Sequence, residues 1–447
     1  MPLGNPSPRP SAAVAAVIAF VLFLPLSAAD LYLSADRHGI LPANATLISF
    51  VGLSCLFGAI SLAGLARDRG RGLCSLYLAA APPLIAFSLL TLVQLGGGFL
   101  PRADWIDSGK FIFLPLYSFI VLFFAVGIAS SRSFHQYHRV IFAFCLLGAA
   151  GSILIDAFYP QSFSQVVDRP AGFDGNPNNS AMIVVMLAIA TIDWTRVRTT
   201  DMLLWLVAGL AVAATLSRGG MILLAVAFLY YGIVSWRTGP RRYATNLSIL
   251  LAAIAVIVPL YSLTGLGTTV YSAENGHLQL LTSIIRGDTA SLTNDSRVAL
   301  SRHFTDLISD GPILGYGTGL AMSYAAGPHN MFLTLWLENG IIGLSVYLMV
   351  LIVCLLHFRM IADSRAQAFC LVVLISSFFS HNLLSSRPMF TTLGLLSAMA
   401  VWQGPARSEP ARSAAAPRLA RSSRLAIRWS WLATTAGWPA SLPYRRD

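Results

Sequence analysis

The stretch GIIGLSVYLMVLIVCLLHF, from Gly340 to Phe358, contains no Asp, Glu, Lys or Arg. A helix needs about 20 consecutive apolar residues to cross the hydrocarbon core of a bilayer. Comparable apolar runs recur along the chain at 11–33, 44–64, 73–94, 111–130, 140–158, 178–194, 202–217, 219–236, 246–263, 366–384 and 388–403. The sequence therefore predicts an all-α polytopic membrane protein with about 12 transmembrane helices.

The composition excludes a water-soluble fold. Hydrophobic residues make up 56% of the sequence and charged residues 11%, whereas soluble domains carry about a quarter charged residues. The net charge of +11 would suggest nucleic acid in a soluble protein, but here the basic residues lie between apolar runs and in a tail. We therefore predict membrane lipids, and no nucleic acid, as partners. The five cysteines are scattered without the spacing of a metal site, so we predict neither a metal nor a cofactor.

The distribution of charge predicts an orientation, because cytoplasmic loops of membrane proteins are enriched in Lys and Arg. If the N-terminus is cytoplasmic, 21 of the 30 basic residues fall on cytoplasmic segments and 13 of the 19 acidic residues fall on outer segments. This asymmetry predicts a multi-pass protein of the bacterial inner membrane with both termini in the cytoplasm.

Two segments depart from the pattern of short loops between helices. The predicted organisation is a cytoplasmic N-terminus (1–10), nine helices (11–263), a periplasmic lid loop (264–328), a segment that re-enters the membrane together with helices ten to twelve (329–403), and a basic tail (404–447). The lid loop contains two amphipathic stretches at helical spacing, which are Leu278, Leu281, Ile284 and Ile285, then Leu300, Phe304, Leu307 and Ile308. We expect the tail to be disordered, cytoplasmic and able to contact anionic lipids.

Arg218 lies in the string TLSRGGM (215–221) between two apolar runs. An arginine at membrane depth costs about 2.5–3.5 kcal/mol on insertion scales. It can snorkel to the interface from a tight turn, or it can bind an anionic headgroup such as a phosphate, whose oxygens suit its planar fork. We favour the second interpretation, because the adjacent glycines would let a bulky ligand approach the backbone.

His329 follows a glycine-rich string, GPILGYGTG (311–319), and opens the segment that returns to the membrane. No strand precedes the string, so it does not indicate a nucleotide-binding fold. A neutral imidazole at this position could take a proton from a sugar hydroxyl, or it could be an ordinary interfacial residue. His303 is a weaker candidate for the same role, since its neighbours indicate one face of an amphipathic helix.

Further polar residues on the predicted outer side could bind substrate. Arg286, Arg297 and Arg302 fall on the lid loop, where they are either solvated or positioned to clamp a diphosphate. In the polar turn 170–179 we expect Asn178 or Asn179 to cap the next helix. The remaining candidates for substrate binding are Asn178 and Asn330.

These strings occur in the order found in one known family. The SRGG turn, the NPN turn at 176–178, the arginine of NDSR (294–297) and the block PILGYGTG…HN…LENGIIGLSVYL resemble the O-antigen ligase family, over about residues 169–356. That family also contains O-antigen polymerases, exopolysaccharide polymerases and protein O-oligosaccharyltransferases. The resemblance implies a fold like that of C-type glycosyltransferases. It also implies that Arg218 binds pyrophosphate, that Arg297 is the lid arginine and that His329 is catalytic.

The resemblance implies the function of an inverting, metal-independent glycosyltransferase. Such an enzyme would move an undecaprenyl-diphosphate-linked glycan onto a hydroxyl of lipid A–core at the periplasmic face. A polymerase, whose acceptor is a growing O-antigen or exopolysaccharide, remains an alternative. No pair of carboxylates is placed for glycoside hydrolysis.

A transporter of lipid or polysaccharide, with Arg218 as a counter-charge, is the alternative without chemistry. A transporter should carry charges along its whole path, and the inner halves of the predicted helices are almost free of them.

Overall fold

The computed structural model describes residues 11–33, 77–98, 105–129, 131–164, 169–196, 198–245, 247–248, 250–251, 296–310, 313–324 and 327–403. The predicted helix 44–64, most of 246–263, the first amphipathic stretch of the lid loop and the basic tail lie outside these residues. The account below concerns the described residues alone.

The described elements are all helical. They are α1 (Ala12–Ser27), α2 (Ala29–Tyr32), α3 (Ala81–Gly97), α4 (Trp105–Ile128), α5 (Arg132–Phe158), α6 (Pro177–Thr191), α7 (Thr199–Ala214), α8 (Arg218–Thr238), α9 (Ser296–Asp310), α10 (Leu320–Ser323), α11 (Met331–Met360), α12 (Ser364–Ser376) and α13 (Arg387–Gln403), with 3-10 turns at Gly172–Asp174 and Leu383–Ser385. No strand occurs in this part of the chain. The predicted all-α class is confirmed.

Length and composition mark these helices as those of a membrane protein. Within the described residues, three helices are long and apolar enough to cross a bilayer, namely Ser133–Phe158, Arg218–Thr238 and Met331–Met360. Six apolar helices are shorter, and these are Ala12–Ser27, Ala81–Gly97, Leu114–Ile128, Pro177–Thr191, Thr199–Ala214 and Ser364–Ser376. The number of about 12 spans stays a prediction.

Helix α6 lies at the centre of the described bundle. Pro177 and every residue from Ser180 to Thr191 are buried, because α5, α7, α8 and α12 all pack against this helix. A helix buried on every side needs apolar residues around its whole circumference, as the string AMIVVMLAIA (181–190) provides. A second group of contacts joins α11 to α3 and α12.

The two ends of α6 meet different surroundings. At its C-terminal end, Arg139 forms ion pairs with Asp201 and with Asp193, the latter at 3.5 Å. Its Nε also donates to the carbonyl oxygen of Thr191 at 3.1 Å. The N-terminal end of α6 faces an open cleft that is described below. Residues predicted for one side of the membrane thus gather at one end, but which membrane face each end occupies stays a prediction.

Helix α11 is broken at Gly340, whose backbone angles are φ 64° and ψ −163°. The break leaves the carbonyl groups before it without helical partners. The oxygens of Leu337 and Glu338 accept hydrogen bonds instead from the amides of Tyr316 (2.9 Å) and Gly317 (2.8 Å). The glycine-rich string therefore binds to the exposed end of the first half of α11.

Side chains strengthen this junction. The Oε1 atom of Glu338 accepts a hydrogen bond from the amide of Ala321 at 3.0 Å, and Asn339 Nδ2 donates to Thr318 Oγ1 at 2.8 Å. A Cβ on Gly315, where φ is 74°, would overlap the backbone at Glu338 and Gly340. The string LENG (337–340) therefore has a structural role as the docking site of the preceding loop.

The second amphipathic stretch of the predicted lid loop forms α9. Its buried residues Phe304 and Ile308 pack with Leu337 of α11 and Ala321 of α10. The helical spacing of the apolar residues predicted this helix correctly. Whether it acts as a lid stays a prediction.

Two predicted boundaries differ from the structure. The predicted span 366–384 corresponds to α12, which ends at Ser376, and residues 377–386 leave the helix. The polar residues Ser380, His381 and Asn382 interrupt the apolar run there, but an average over about 20 residues hides them. The predicted span 340–358 corresponds to the second half of α11, because Gly340 divides a helix that begins at Met331.

Replacing Gly340 by alanine should destabilise the protein. The observed φ and ψ lie in a region that is accessible essentially to glycine alone, at a cost of about 1–3 kcal/mol for other residues, and the new Cβ would overlap the carbonyl oxygen of Ile313. Thermal unfolding in detergent should give a lower midpoint for Gly340→Ala. Gly96→Ala is the matched control, because a Cβ on this helical glycine meets nothing within 4 Å. An unchanged midpoint for Gly340→Ala would contradict the described break.

Candidate functional site

An open cleft of about 570 Å³ lies at the N-terminal end of α6. Three helix N-termini border it, those of α6, α8 and α11, together with the irregular segment that follows α12. Its lining residues are Asn176, Asn178, Asn179, Met182, Ser217, Gly219, Gly220, Leu223, His329, Ser376, Phe379, Ser380, His381 and Asn382. We call this the first cleft.

The N-terminus of α6 is capped by Asn176. Its side-chain oxygen accepts hydrogen bonds from the amides of Asn178 (3.0 Å) and Asn179 (3.5 Å). The expectation that Asn178 or Asn179 caps this helix is therefore wrong. Pro177 is suited to the first helical position because its φ is fixed, which makes the residue before it the cap. The side chain of Asn178 is thereby available for other contacts.

Asn178 links the beginnings of α6 and α8. Its Oδ1 atom accepts a hydrogen bond from Ser217 Oγ at 2.8 Å and another from Arg169 Nη2 at 3.2 Å. The guanidinium of Arg169 also donates to the carbonyl oxygen of Thr215, at the end of α7, from Nε (3.3 Å) and Nη2 (3.2 Å). Arg169 was not among the predicted site residues, and it holds the two polar turns together.

The SRGG string begins α8. Ser217 is the cap, and its Oγ accepts a hydrogen bond from the amide of Gly220 at 3.1 Å. A side chain at Gly220 would overlap Ala181 of α6, so this glycine permits close packing of α6 and α8. Gly219 borders the first cleft beside Phe379, which a Cβ would contact at 3.5 Å.

Arg218 is the first residue of α8 and is half-buried. Both of its chain neighbours line the first cleft, but Arg218 itself does not. Within the part of the chain that the structure describes, its guanidinium makes no hydrogen bond or ion pair. By contrast, Arg139 and Arg387 are engaged in ion pairs with Asp201 and Asp30, respectively. A cation without such a partner at the edge of the cleft is available to an anionic ligand.

His329 lines the first cleft opposite the start of α8. It has a positive φ of 48° and directly precedes Asn330, the cap of α11. The Oδ1 atom of Asn330 accepts hydrogen bonds from the amides of Phe332 (2.9 Å) and Leu333 (3.2 Å). Asn330 was predicted to bind substrate. In the structure its Oδ1 atom caps the start of α11. The hairpin that carries Arg218 and the imidazole of His329 thus border one cavity.

His381 is a cleft residue that the sequence did not predict. Its ring centroid lies 5.0 Å from that of His329, with the two rings nearly perpendicular. Burial and the neighbouring His329 lower the pKa of His381 to about 4. The ring of His381 also lies against Gly327. A Cβ on that glycine would lie only 2.6 Å from His381 Nε2, so the close contact requires glycine. The dipeptide His-Asn at 381–382, which repeats that at 329–330, was the only sequence signal for this position.

The predicted lid arginines are not part of the described cleft. Arg297 begins α9, but its side chain lies outside the described residues, as does the whole of Arg286. Arg302 is exposed on α9 and does not line the first cleft. His303, the weaker histidine candidate, is also exposed and packs beside Tyr324, with ring centroids 6.1 Å apart.

The arrangement favours an anionic ligand. Each helix N-terminus carries the equivalent of about half a positive charge, which attracts anions. The caps Asn176 and Asn330 already accept hydrogen bonds from the first amides of α6 and α11, so the contribution of these two termini is the helix dipole. Three helix N-termini, with Arg218 at the edge, surround a space that also contains an imidazole able to accept a proton. No group of three or more His, Cys, Asp and Glu residues in the described ranges is arranged to hold a metal ion. That the reaction needs no metal stays a prediction.

Comparison with known families agrees with these motifs. Residues 202–348 match the family model described as O-antigen ligase. The match includes the start of α8 and His329, whereas Asn178 and His381 lie outside it. No curated protein matches the chain.

The low pKa of His381 predicts how stability depends on pH. Between about pH 6.5, where an unfolded histidine titrates, and about pH 4, where His381 titrates in the folded protein, the unfolded chain binds more protons. The stability contributed by neutral His381 is therefore complete above about pH 6.5 and decreases as the pH falls toward 4. Wild type should lose more thermal stability between about pH 7 and pH 4.5 than His381→Gln, measured by unfolding in detergent. His303→Gln, at an exposed position, should behave as wild type, and equal losses for all three proteins would refute the assignment.

Proposed function

Because residues 202–348 match the O-antigen ligase family model, we propose that this chain belongs to that family and that it transfers a glycan from undecaprenyl diphosphate to an acceptor hydroxyl with inversion. The acceptor is lipid A–core, and the reaction takes place at the periplasmic face of the bacterial inner membrane. Membership of the family supports a glycosyltransferase of the ligase or polymerase kind. The positive-inside distribution of charge supports the orientation.

The first cleft binds the diphosphate of the donor. Its lining offers the N-termini of α6, α8 and α11, and Arg218 stands at its edge. These groups stabilise the negative charge that develops on the leaving diphosphate, because fixed dipoles and cations in a partly enclosed site need no reorganisation during the reaction. The same role in other enzymes is performed by divalent cations, so arginine and helix dipoles can replace a metal here.

His329 is the general base. The acceptor oxygen attacks the anomeric carbon of the donor sugar and forms the new glycosidic bond. The bond between that carbon and the phosphate oxygen breaks, and undecaprenyl diphosphate leaves with the bonding electrons. The hydroxyl proton passes to the imidazole of His329, which requires a neutral ring before the reaction. A single in-line displacement inverts the configuration at the anomeric carbon.

One observation carries the proposal: His329 and the capped start of α8, beside Arg218, border the same cleft although they lie far apart in the sequence. A base and an oxyanion-binding group must both reach the reacting centre for this chemistry.

Replacing either group should abolish transfer. We expect Arg218→Ala and His329→Ala each to lower the rate at least about 100-fold, the scale of a lost oxyanion or general-base group. The measurement is the formation of glycan-modified lipid A–core in a deletion strain that expresses each variant at wild-type level. Arg237→Ala, in the last turn of the same helix, and His303→Ala, on α9, are the matched controls and should complement fully.

The products distinguish the possible outcomes. Loss of polymer on lipid A–core with accumulation of lipid-linked polymer supports a ligase. Single repeat units without long chains would show that the enzyme is a polymerase and would overturn the proposed acceptor. Full complementation by both Arg218→Ala and His329→Ala would remove the proposed site.

A further inference from the structure

A second cleft, of about 390 Å³, adjoins the first. Its polar lining residues are Gln94, Thr318, Thr334, Glu338, His381 and Ser385. His381 lines both clefts, and its ring lies next to that of His329. The two spaces therefore share His381, whose ring lies beside that of His329, the proposed base.

The second cleft differs from the first in charge. Among the residues that the structure describes, no lysine or arginine contributes to its lining, and the cleft contains the carboxyl group of Glu338, which is 4% exposed. Without a lysine or arginine in its described lining, this cleft offers no positive charge to bind a phosphate. Hydroxyl groups, in contrast, can donate hydrogen bonds to a carboxylate oxygen. The lining therefore suits an uncharged ligand rich in hydroxyls.

Gln94 provides an unused hydrogen-bonding group in this cleft. The residue is 6% exposed, and its backbone oxygen accepts a hydrogen bond from Thr318 Oγ1 at 2.6 Å. Within the described ranges its side-chain amide has no hydrogen-bond partner. The residue borders the cleft, so a ligand there that supplies both a donor and an acceptor could bond to both the oxygen and the nitrogen of the amide. A sugar hydroxyl supplies both.

We propose that the second cleft binds the acceptor sugar, with the Gln94 amide and the Glu338 carboxyl group hydrogen-bonded to its hydroxyls. The inference rests on the proposed function. Inversion requires the attacking hydroxyl to approach the anomeric carbon from the side opposite the leaving diphosphate. A cleft whose described lining shares only His381 with the diphosphate site provides that separate approach. His381 is then a positioning residue that lies between the acceptor and His329.

The two clefts can be tested separately by kinetics. Full-length protein is reconstituted in proteoliposomes with undecaprenyl-diphosphate-linked glycan as donor, and both lipid A–core and lipid-linked glycan are offered as acceptors. The acceptor that wild type consumes is then titrated. Gln94→Met keeps the size of the side chain but removes its hydrogen-bonding groups. We expect the acceptor KM to rise about tenfold, as for one lost hydrogen bond, and the donor KM to change less than about twofold.

A variant of the first cleft serves as the matched comparison. Asn179 lines that cleft, and Asn179→Ala should raise the donor KM and leave the acceptor KM unchanged. Gln94→Ala, which leaves space instead of filling it, is the second variant if Gln94→Met unfolds at a lower temperature than wild type. A rise in the donor KM for the Gln94 variants, or no change in either KM, overturns the acceptor site while leaving the proposed function intact. If wild type glycosylates neither acceptor, the proposed function itself fails.

Discussion

The side chain of Asn178 holds the first cleft together. One oxygen atom accepts hydrogen bonds from Ser217, the cap of α8, and from Arg169, which also donates to the carbonyl oxygen of Thr215 directly after α7. Polar groups in apolar surroundings must find partners within the protein. The turns at both helix starts are therefore fixed to one another, and the starts of α6 and α8 border one space.

The positions of most described helices could be predicted from hydrophobicity. The wrong predictions concern single helix ends, where a few residues decide the structure. Apolar runs predicted the helices because membrane-spanning segments need length more than a particular sequence. Hydrophobicity averaged over about 20 residues also extended the predicted span 366–384 through His381. This residue lies in irregular structure after Ser376, where α12 ends. The prediction placed the cap of α6 at Asn178 or Asn179, whereas the cap is Asn176. The fixed φ of Pro177 suits the first helical position, so the residue before it is the cap.

The candidate site was only partly predictable, since short strings carry no information about distant neighbours. His329 could be found because a family motif surrounds it. His381 belongs to no such motif, and only the folded chain brings its ring beside His329. Likewise, no structural role was predicted for the glycines at 315 and 340. The hydrogen bonds to Leu337 and Glu338 show that the glycine-rich string binds to the end of the first half of α11.

The length of α6 has a consequence for the lipid substrate. With 15 residues the helix extends about 22 Å, which is shorter than the hydrocarbon core of about 30 Å. If α6 spans the bilayer, as the sequence predicts, at least one of its ends is recessed below the level of the lipid headgroups. If the recessed end is the one at the first cleft, a lipid-borne diphosphate reaches it by sinking slightly into the protein. Its long isoprenoid chain can then remain among the acyl chains throughout the reaction.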